Sequence, residues 1–172
     1  LLRAIAGLWH SGSGTIHRPD LDDILFLPQK PYMILGTLRD QLLYPHLRRD
    51  TADTTLQDTL EKVNLADLAQ RFGGFDALEE WGDVLSLGEQ QRLTFARLLL
   101  NRPAFAILDE ATSALDLANE AMLYSHLHHS GTTFISVGHR ESLSAYHHHS
   151  LELGDHHSWS LKPLALAADS QH

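Results

Sequence analysis

The apolar positions change period several times along these 172 residues, and each change predicts a different element. Leu1-Leu2-Arg3-Ala4-Ile5-Ala6-Gly7-Leu8-Trp9 reads as helix. It starts in mid-pattern, with no Ser, Thr, Asp or Asn to satisfy the first free backbone N–H groups. It also has no initiator Met and no signal-peptide n-region, so the chain reads as a fragment with its upstream part missing. His10-Ser11-Gly12-Ser13-Gly14 is expected to be a loop, and Gly14-Thr15-Ile16-His17 a short strand. Ile24-Leu25-Phe26-Leu27 is an apolar strand stopped by Pro28, which has no N–H to donate.

From about Gly36 to Arg102 the period is helical. Thr37 to Tyr44 predicts one short helix closed by Pro45. Asp53 is the expected cap of a helix over Thr54 to Val63, with Leu56, Leu60 and Val63 on one face. A third helix is expected from Leu87 or Gly88 to Leu100, with Ser86 as N-cap and Leu93, Ala96, Arg97 and Leu100 on one side. Then Ala104-Phe105-Ala106-Ile107-Leu108 is continuously apolar, as in a parallel strand buried on both faces. A helix over Leu117 to Leu127 and a strand over Thr132 to Val137 complete a βαβ unit, which implies a parallel α/β sheet. Leu151-Glu152-Leu153 and Ser158-Trp159-Ser160-Leu161, around Gly154-Asp155, predict a closing hairpin, and the last ten residues are expected to fray. No internal repeat is visible. The organisation is one domain: 1–35 and 102–165 form an α/β lobe, and 36–101 is a helical insertion.

Composition narrows the partners. Twenty-two acidic residues against 13 basic ones give a formal charge of −9, which argues against a nucleic-acid partner, since such a surface needs a basic face. There is no cysteine, so disulfides, thiolate zinc sites and cysteine nucleophiles are excluded. No run of 18 apolar residues occurs. Thirteen histidines, including His126, His128, His129, His147-His148-His149 and His156-His157, raise the question of a metal, but their places on amphipathic helices and at turns fit a solvated surface.

Candidate chemistry gathers at strand ends. Asp109-Glu110 directly follows the apolar strand, where ligands of open parallel sheets bind. One carboxylate can hold a hard cation and the other can orient and deprotonate a water. A solvated acidic turn would have the same dipeptide. Leu85-Ser86-Leu87-Gly88-Glu89-Gln90-Gln91-Arg92 opens the third helix, and its start is an anion site by virtue of free N–H groups and the dipole, or simply a capped helix. Gly88 allows close approach to the backbone. His139 follows the strand ending at Val137, and Gln29 follows the strand ending at Leu27. Each could be an ordinary loop residue, or a group reaching a phosphate, a cation or a water.

Taken together, Phe26-Leu27-Pro28-Gln29, Leu85 to Arg92, Phe105 to Asp116 and Val137-Gly138-His139 resemble the ATP-binding cassette (ABC) ATPase family over nearly the whole chain. The resemblance implies a RecA-like P-loop NTPase lobe with an inserted helical subdomain. Gln29 then looks like the Q-loop glutamine, and Ser86-Leu87-Gly88-Glu89-Gln90 like the signature. Phe105 to Asp109 looks like the Walker B strand, Glu110 like the catalytic base, Ser113 to Asp116 like the D-loop and His139 like the switch histidine. ATP and Mg2+ are the implied cofactors, with Asp109 and Gln29 toward the metal. Ser86, Gly88, Glu89 and Asp116 would face nucleotide in a C2 dimer with a second ATPase domain.

Two departures stand out. Leu87 and Glu89 occupy positions where the family's usual signature, Leu-Ser-Gly-Gly-Gln, has Gly and Gln. The P-loop, G-x-x-x-x-G-K-[ST], does not occur: Lys30, Lys62 and Lys162 are the only lysines and none follows a glycine. Gly12-Ser13-Gly14 precedes a predicted strand rather than opening a helix, so it is not a phosphate cradle. The helix after the family's P-loop reads much like Leu1 to Trp9. Phe26 to Tyr32, Leu38 to Pro45, Glu80 to Ser86 and Phe95-Ala96-Arg97 narrow the resemblance to fused permease/ATPase proteins (SbmA/BacA-like and YddA-like) and peroxisomal fatty-acyl transporters. That implies a fused transmembrane permease domain, a place on the cytoplasmic face of a membrane, and ATP hydrolysis that powers transport. The alternatives are a soluble ABC ATPase of DNA repair or translation, or a fragment without turnover. Gln29 and Ser86 lie only 57 positions apart, too few for the coiled coils of the repair type.

Overall fold

Three parallel strands lie at the centre of the computed structural model, which describes residues 1–9, 11–47, 50–155 and 158–164. They are β1 (Ile24–Leu27), β2 (Phe105–Asp109) and β3 (Thr133–Val137), in the order β1-β2-β3. Ile24 is in register with Phe105, and Phe105 with Thr133. The middle strand is the one with the unbroken apolar run, and Ala106, Ile107 and Leu108 are buried. Its neighbours on both sides leave no room for polar alternation. Helix α7 (Leu117–His128) makes the parallel crossover from β2 to β3. An antiparallel hairpin, β4 (His149–Leu153) with β5 (Trp159–Pro163), follows. The expected fraying of the last ten residues, and His156-His157, fall mostly or wholly outside the described residues.

Between β1 and β2 the chain is helical: α2 (Leu38–Leu43), α3 (Asp53–Lys62), α4 (Leu68–Phe72), α5 (Trp81–Val84) and α6 (Leu87–Asn101). Thr37 caps α2 in a capping box with Asp40, and Ser86 caps α6 in the same way with Glu89, so two orphan N–H groups are satisfied at each start. Leu38, Leu42, Leu56, Leu60, Leu93 and Leu98 are fully buried in one cluster. Each contributes roughly 1.5–3 kcal/mol of transfer free energy. Helix α6 is buried on nearly every side, more than the single stripe its period suggested. Its Arg97 is buried too, donating to the Gln41 and Tyr32 carbonyls and to Gln41 Oε1. Burial pulls its pKa down to about 10.

Three expectations need correction. The first helix, α1, spans only Leu2–Ile5; Gly7 at φ +74° ends it, and no residue of it is buried. Four residues with no fully buried side chain give too little to propagate a helix. Gly14 to His17 form no strand, because no strand among the described residues pairs with them. Asp53 is the first helical residue of α3 rather than its cap; Ala52 is the N-cap and makes no side-chain bond.

One histidine also departs from the solvated-surface reading. The His147 ring is half-buried against Tyr124 and Phe134, its Nδ1–H donates to the Leu143 carbonyl at 2.7 Å, and its Nε2 is buried without a partner among the described residues. Burial lowers its pKa, because an imidazolium would sit among rings with one N–H unmatched. With the folded value depressed, its contribution is present above the ordinary imidazole value of about 6.5 and is lost as pH falls below it. Urea unfolding should therefore show stability falling below that pH, and less steeply in His147→Phe. An unchanged slope in that variant would dismiss His147 as the cause.

Candidate active site

Gln29, Glu110 and His139 come from three different strand ends and meet at one carboxylate. Gln29 Nε2 donates to Glu110 Oε2 at 2.7 Å, and His139 Nε2 donates to Glu110 Oε1 at 2.8 Å. The carboxylate is an acceptor, so it fixes the proton on His139 Nε2. One lone pair on each Glu110 oxygen stays available for a further donor, such as a water. The backbone of Glu110 is in the left-handed region at φ 50°, held by its N–H to the Val137 carbonyl at 2.9 Å. A non-glycine residue there stores about 1–3 kcal/mol of strain, a device common where a side chain must be aimed.

Asp109, one residue earlier, ends β2 in the middle of the sheet. Its exposed carboxylate makes no hydrogen bond or ion pair with another described residue. Unpaired oxygen ligands of this kind suit a hard cation shared with phosphates, and Gln29 keeps its Oε1 for the same purpose. No group of three or more His, Asp or Glu arranged to hold a metal on their own exists among the described residues. A cavity of about 630 Å³ lies between α1 and the sheet, with Asp109 in its wall. Leu2, Leu8, Leu25, Leu27 and Ile107 also line it. Arg3, Thr94 and Arg97 line it as well, so a largely apolar wall also carries donors.

The start of α6 stands apart from that cluster. Ser86 and Glu89 bond to each other and not to Glu110: Ser86 N and Oγ both donate to Glu89 Oε2 at 2.8 Å. Gly88 lies where an added Cβ would come 3.3 Å from the Ala114 carbonyl oxygen, which explains a small residue at that position. Asp116 caps α7, accepting from Asn119 N at 2.8 Å, and that backbone bond lowers its pKa.

Two groups that the sequence reading passed over hold these pieces together. Buried Gln91 donates to the Gln29 carbonyl at 2.9 Å and to Ser113 Oγ at 3.1 Å, and accepts from Ala114 N at 3.0 Å. Glu120, 2% exposed, takes Arg140 at 3.2 Å, Thr112 at 2.8 Å and Ser142 at 2.8 Å. Arg140 in turn donates to the Leu115 carbonyl at 2.8 Å. The turn 113–116 and the residues after His139 are thereby tied to one buried carboxylate. A polar residue on the buried face of a periodic helix, as Gln91 is, was the available signal.

Comparison with known proteins places the chain in a family. A family model described as ABC transporter matches residues 1–113. An ABC transporter ATP-binding protein of Synechocystis sp. is 62% identical over 95% of this chain and 25% of its own length. ABC transporter D family member 2, chloroplastic, of Arabidopsis thaliana is 46% identical over 89% of this chain and 28% of its own. ATP-binding cassette sub-family D member 3 of Homo sapiens is 40% identical over 95% and 26%. The chain thus spans about a quarter of the length of the curated relatives it matches. A bacterial Atm1-family ABC exporter solved with ATP bound superposes with a TM-score of 0.64 at 29% identity, over 75% of this chain and 23% of that one.

Proposed function

The chain belongs to the ABC transporter family, and we propose that it is the part of an ATP-hydrolysing domain that powers movement of a substrate across a membrane. The observation that carries this reading is the convergence of Gln29 and His139 on Glu110 at the end of the central strand. Glu110 is the general base for an attacking water, held in position by two donors, Gln29 and His139. His139 would reach the terminal phosphate, and the separation of Ser86 from Glu110 supports a site shared between two domains in a C2 dimer. Catalysis is then positioning and charge stabilisation. Asp109 and Gln29 would hold Mg2+, which when bound would neutralise phosphate charge. Residues 1–35 with 102–165 make up the RecA-like lobe, and 36–101 the helical subdomain.

The membrane partner is read from the segment after Gln29. Tyr32 and Leu35 are 65% and 84% exposed, whereas Pro31 is buried and Met33 and Ile34 are half-buried. Gln41 exchanges two hydrogen bonds with the Ile34 backbone, and Arg97 holds the Tyr32 carbonyl. The result is a rigid mount presenting two apolar side chains beside Gln29, suited to a permease domain on the cytoplasmic face. No helix among the described residues is long and apolar enough to cross a membrane, so the crossing segments would lie elsewhere in the polypeptide.

One preparation tests this. The complete protein, in membranes, should hydrolyse ATP and form crosslinks to its permease loops from Tyr32→Cys or Leu35→Cys. The isolated 172 residues, which carry no G-x-x-x-x-G-K-[ST] run, are the control expected to show no turnover. Hydrolysis without any such crosslink would favour a soluble ATPase.

A further inference from the structure

The signature here carries a carboxylate, Glu89, at the point where a phosphate is expected to arrive. A bare carboxylate would repel that phosphate and offset the attraction of the helix start. Glu89 is not bare. Its Oε1 lies 2.6 Å from Arg71 Nη2, while its Oε2 takes both the N–H and the hydroxyl of Ser86. Burial alone would raise the Glu89 pKa, but Arg71 and Ser86 outweigh it and hold the carboxyl below its usual range, so it is charged at neutral pH.

Arg71 is itself braced. It sits in the last turn of α4, with its guanidinium 5.0 Å from the centre of the Phe72 ring and a longer contact to Asp67 at 3.7 Å. Phe72 meets the buried Trp81 edge-on at 5.2 Å. Trp81 donates its indole N–H to the Gly36 carbonyl at 2.8 Å. A relay of contacts therefore runs from the core of the helical block, through Arg71 and Glu89, to the Ser86 hydroxyl.

We propose that Arg71 is a positioning residue for the shared phosphate site, cancelling the Glu89 charge and holding the Ser86 hydroxyl and N–H in place for a nucleotide bound by the partner domain. The proposal rests on the ABC ATPase reading above. It also accounts for the tolerance of Glu where the usual signature has Gln: a neutral amide needs no counter-ion, and a carboxylate does. A purely structural role is the rival explanation, and partly exposed ion pairs of this kind contribute little to stability. The two roles separate in kinetics.

The experiment uses a complete ATPase domain carrying this chain behind a phosphate-binding loop. Arg71→Gln should raise KM for ATP by about tenfold and lower kcat by no more than about twofold, the scale of one charge-assisted hydrogen bond. Arg71→Lys should recover most of that loss by restoring the charge. Adding Glu89→Gln to Arg71→Gln should bring KM back down by roughly fivefold, because no charge is then left uncompensated. If the double variant is as impaired as Arg71→Gln alone, or if Arg71→Gln is neutral while Ser86→Ala is not, the positioning role is overturned and the ATPase reading stands. If Ser86→Ala leaves KM and kcat untouched, it is the shared-site reading that fails.

Discussion

Glu110→Gln should lower ATP turnover in the complete protein by about 10²-fold or more, while leaving nucleotide binding in place. The amide keeps the size of the side chain, but its nitrogen cannot take a proton from water. It also changes the hydrogen-bond pattern, because Gln29 Nε2 and His139 Nε2 both donate to the present carboxylate. The new amide can accept from only one of them through its oxygen. His139 can move its proton to Nδ1 and accept from the amide nitrogen, so the arrangement survives without the base. ATP-bound dimers should then accumulate, visible as a larger species by size-exclusion chromatography in Mg-ATP. Phosphate release at the unmodified rate would remove Glu110 from the role of base, and the assignment of the strand-end pair with it.

Trp81→Ala should destabilise the protein by about 3–5 kcal/mol, the usual cost of deleting a large buried aromatic. Trp81 is 1% exposed, and its indole N–H bond to Gly36 would go with the ring. The carbonyl of Gly36 would be left without its donor, and Phe72 without its edge-on neighbour. Chemical denaturation followed by far-ultraviolet circular dichroism measures the loss. A cost below about 1 kcal/mol would mean that the site collapses around the smaller residue, and that α4 and α5 are held chiefly by their other contacts. The same substitution should loosen the bracing of Arg71, so it is a poor probe of the phosphate site and a good probe of the fold.

Much of the site was legible in the chain because each piece is announced by local chemistry. A strand that ends in Asp109-Glu110, a capped helix beginning at Ser86 and a strand-end His139 are all set by residues within a few positions of one another. Their joint order and spacing identified the family, and the comparisons bear that out. The links between them were not legible. Gln29 and Glu110 are 81 residues apart, and Gln91 reaches 62 residues back to Gln29. Such partners depend on strand order and helix packing, which no local period encodes. The Arg71–Glu89 pair, 18 residues apart on two helices, is of the same kind.

What the sequence determined by itself was therefore the elements with strong local terms. The apolar run of β2, the cap boxes at Thr37 and Ser86 and the helical period of 36–101 rest on side chains that act on their own backbone. Where that local drive was weak, the tertiary structure decided. The Leu1 to Trp9 pattern shrank to four helical residues, none of them fully buried, with Gly7 ending the helix, and Gly14 to His17 stayed irregular, with no strand paired to them among the described residues. Conversely, the meeting of Gln29, Glu110 and His139 exists only because β1, β2 and β3 are adjacent and parallel, which delivers three distant strand ends to one edge of the sheet.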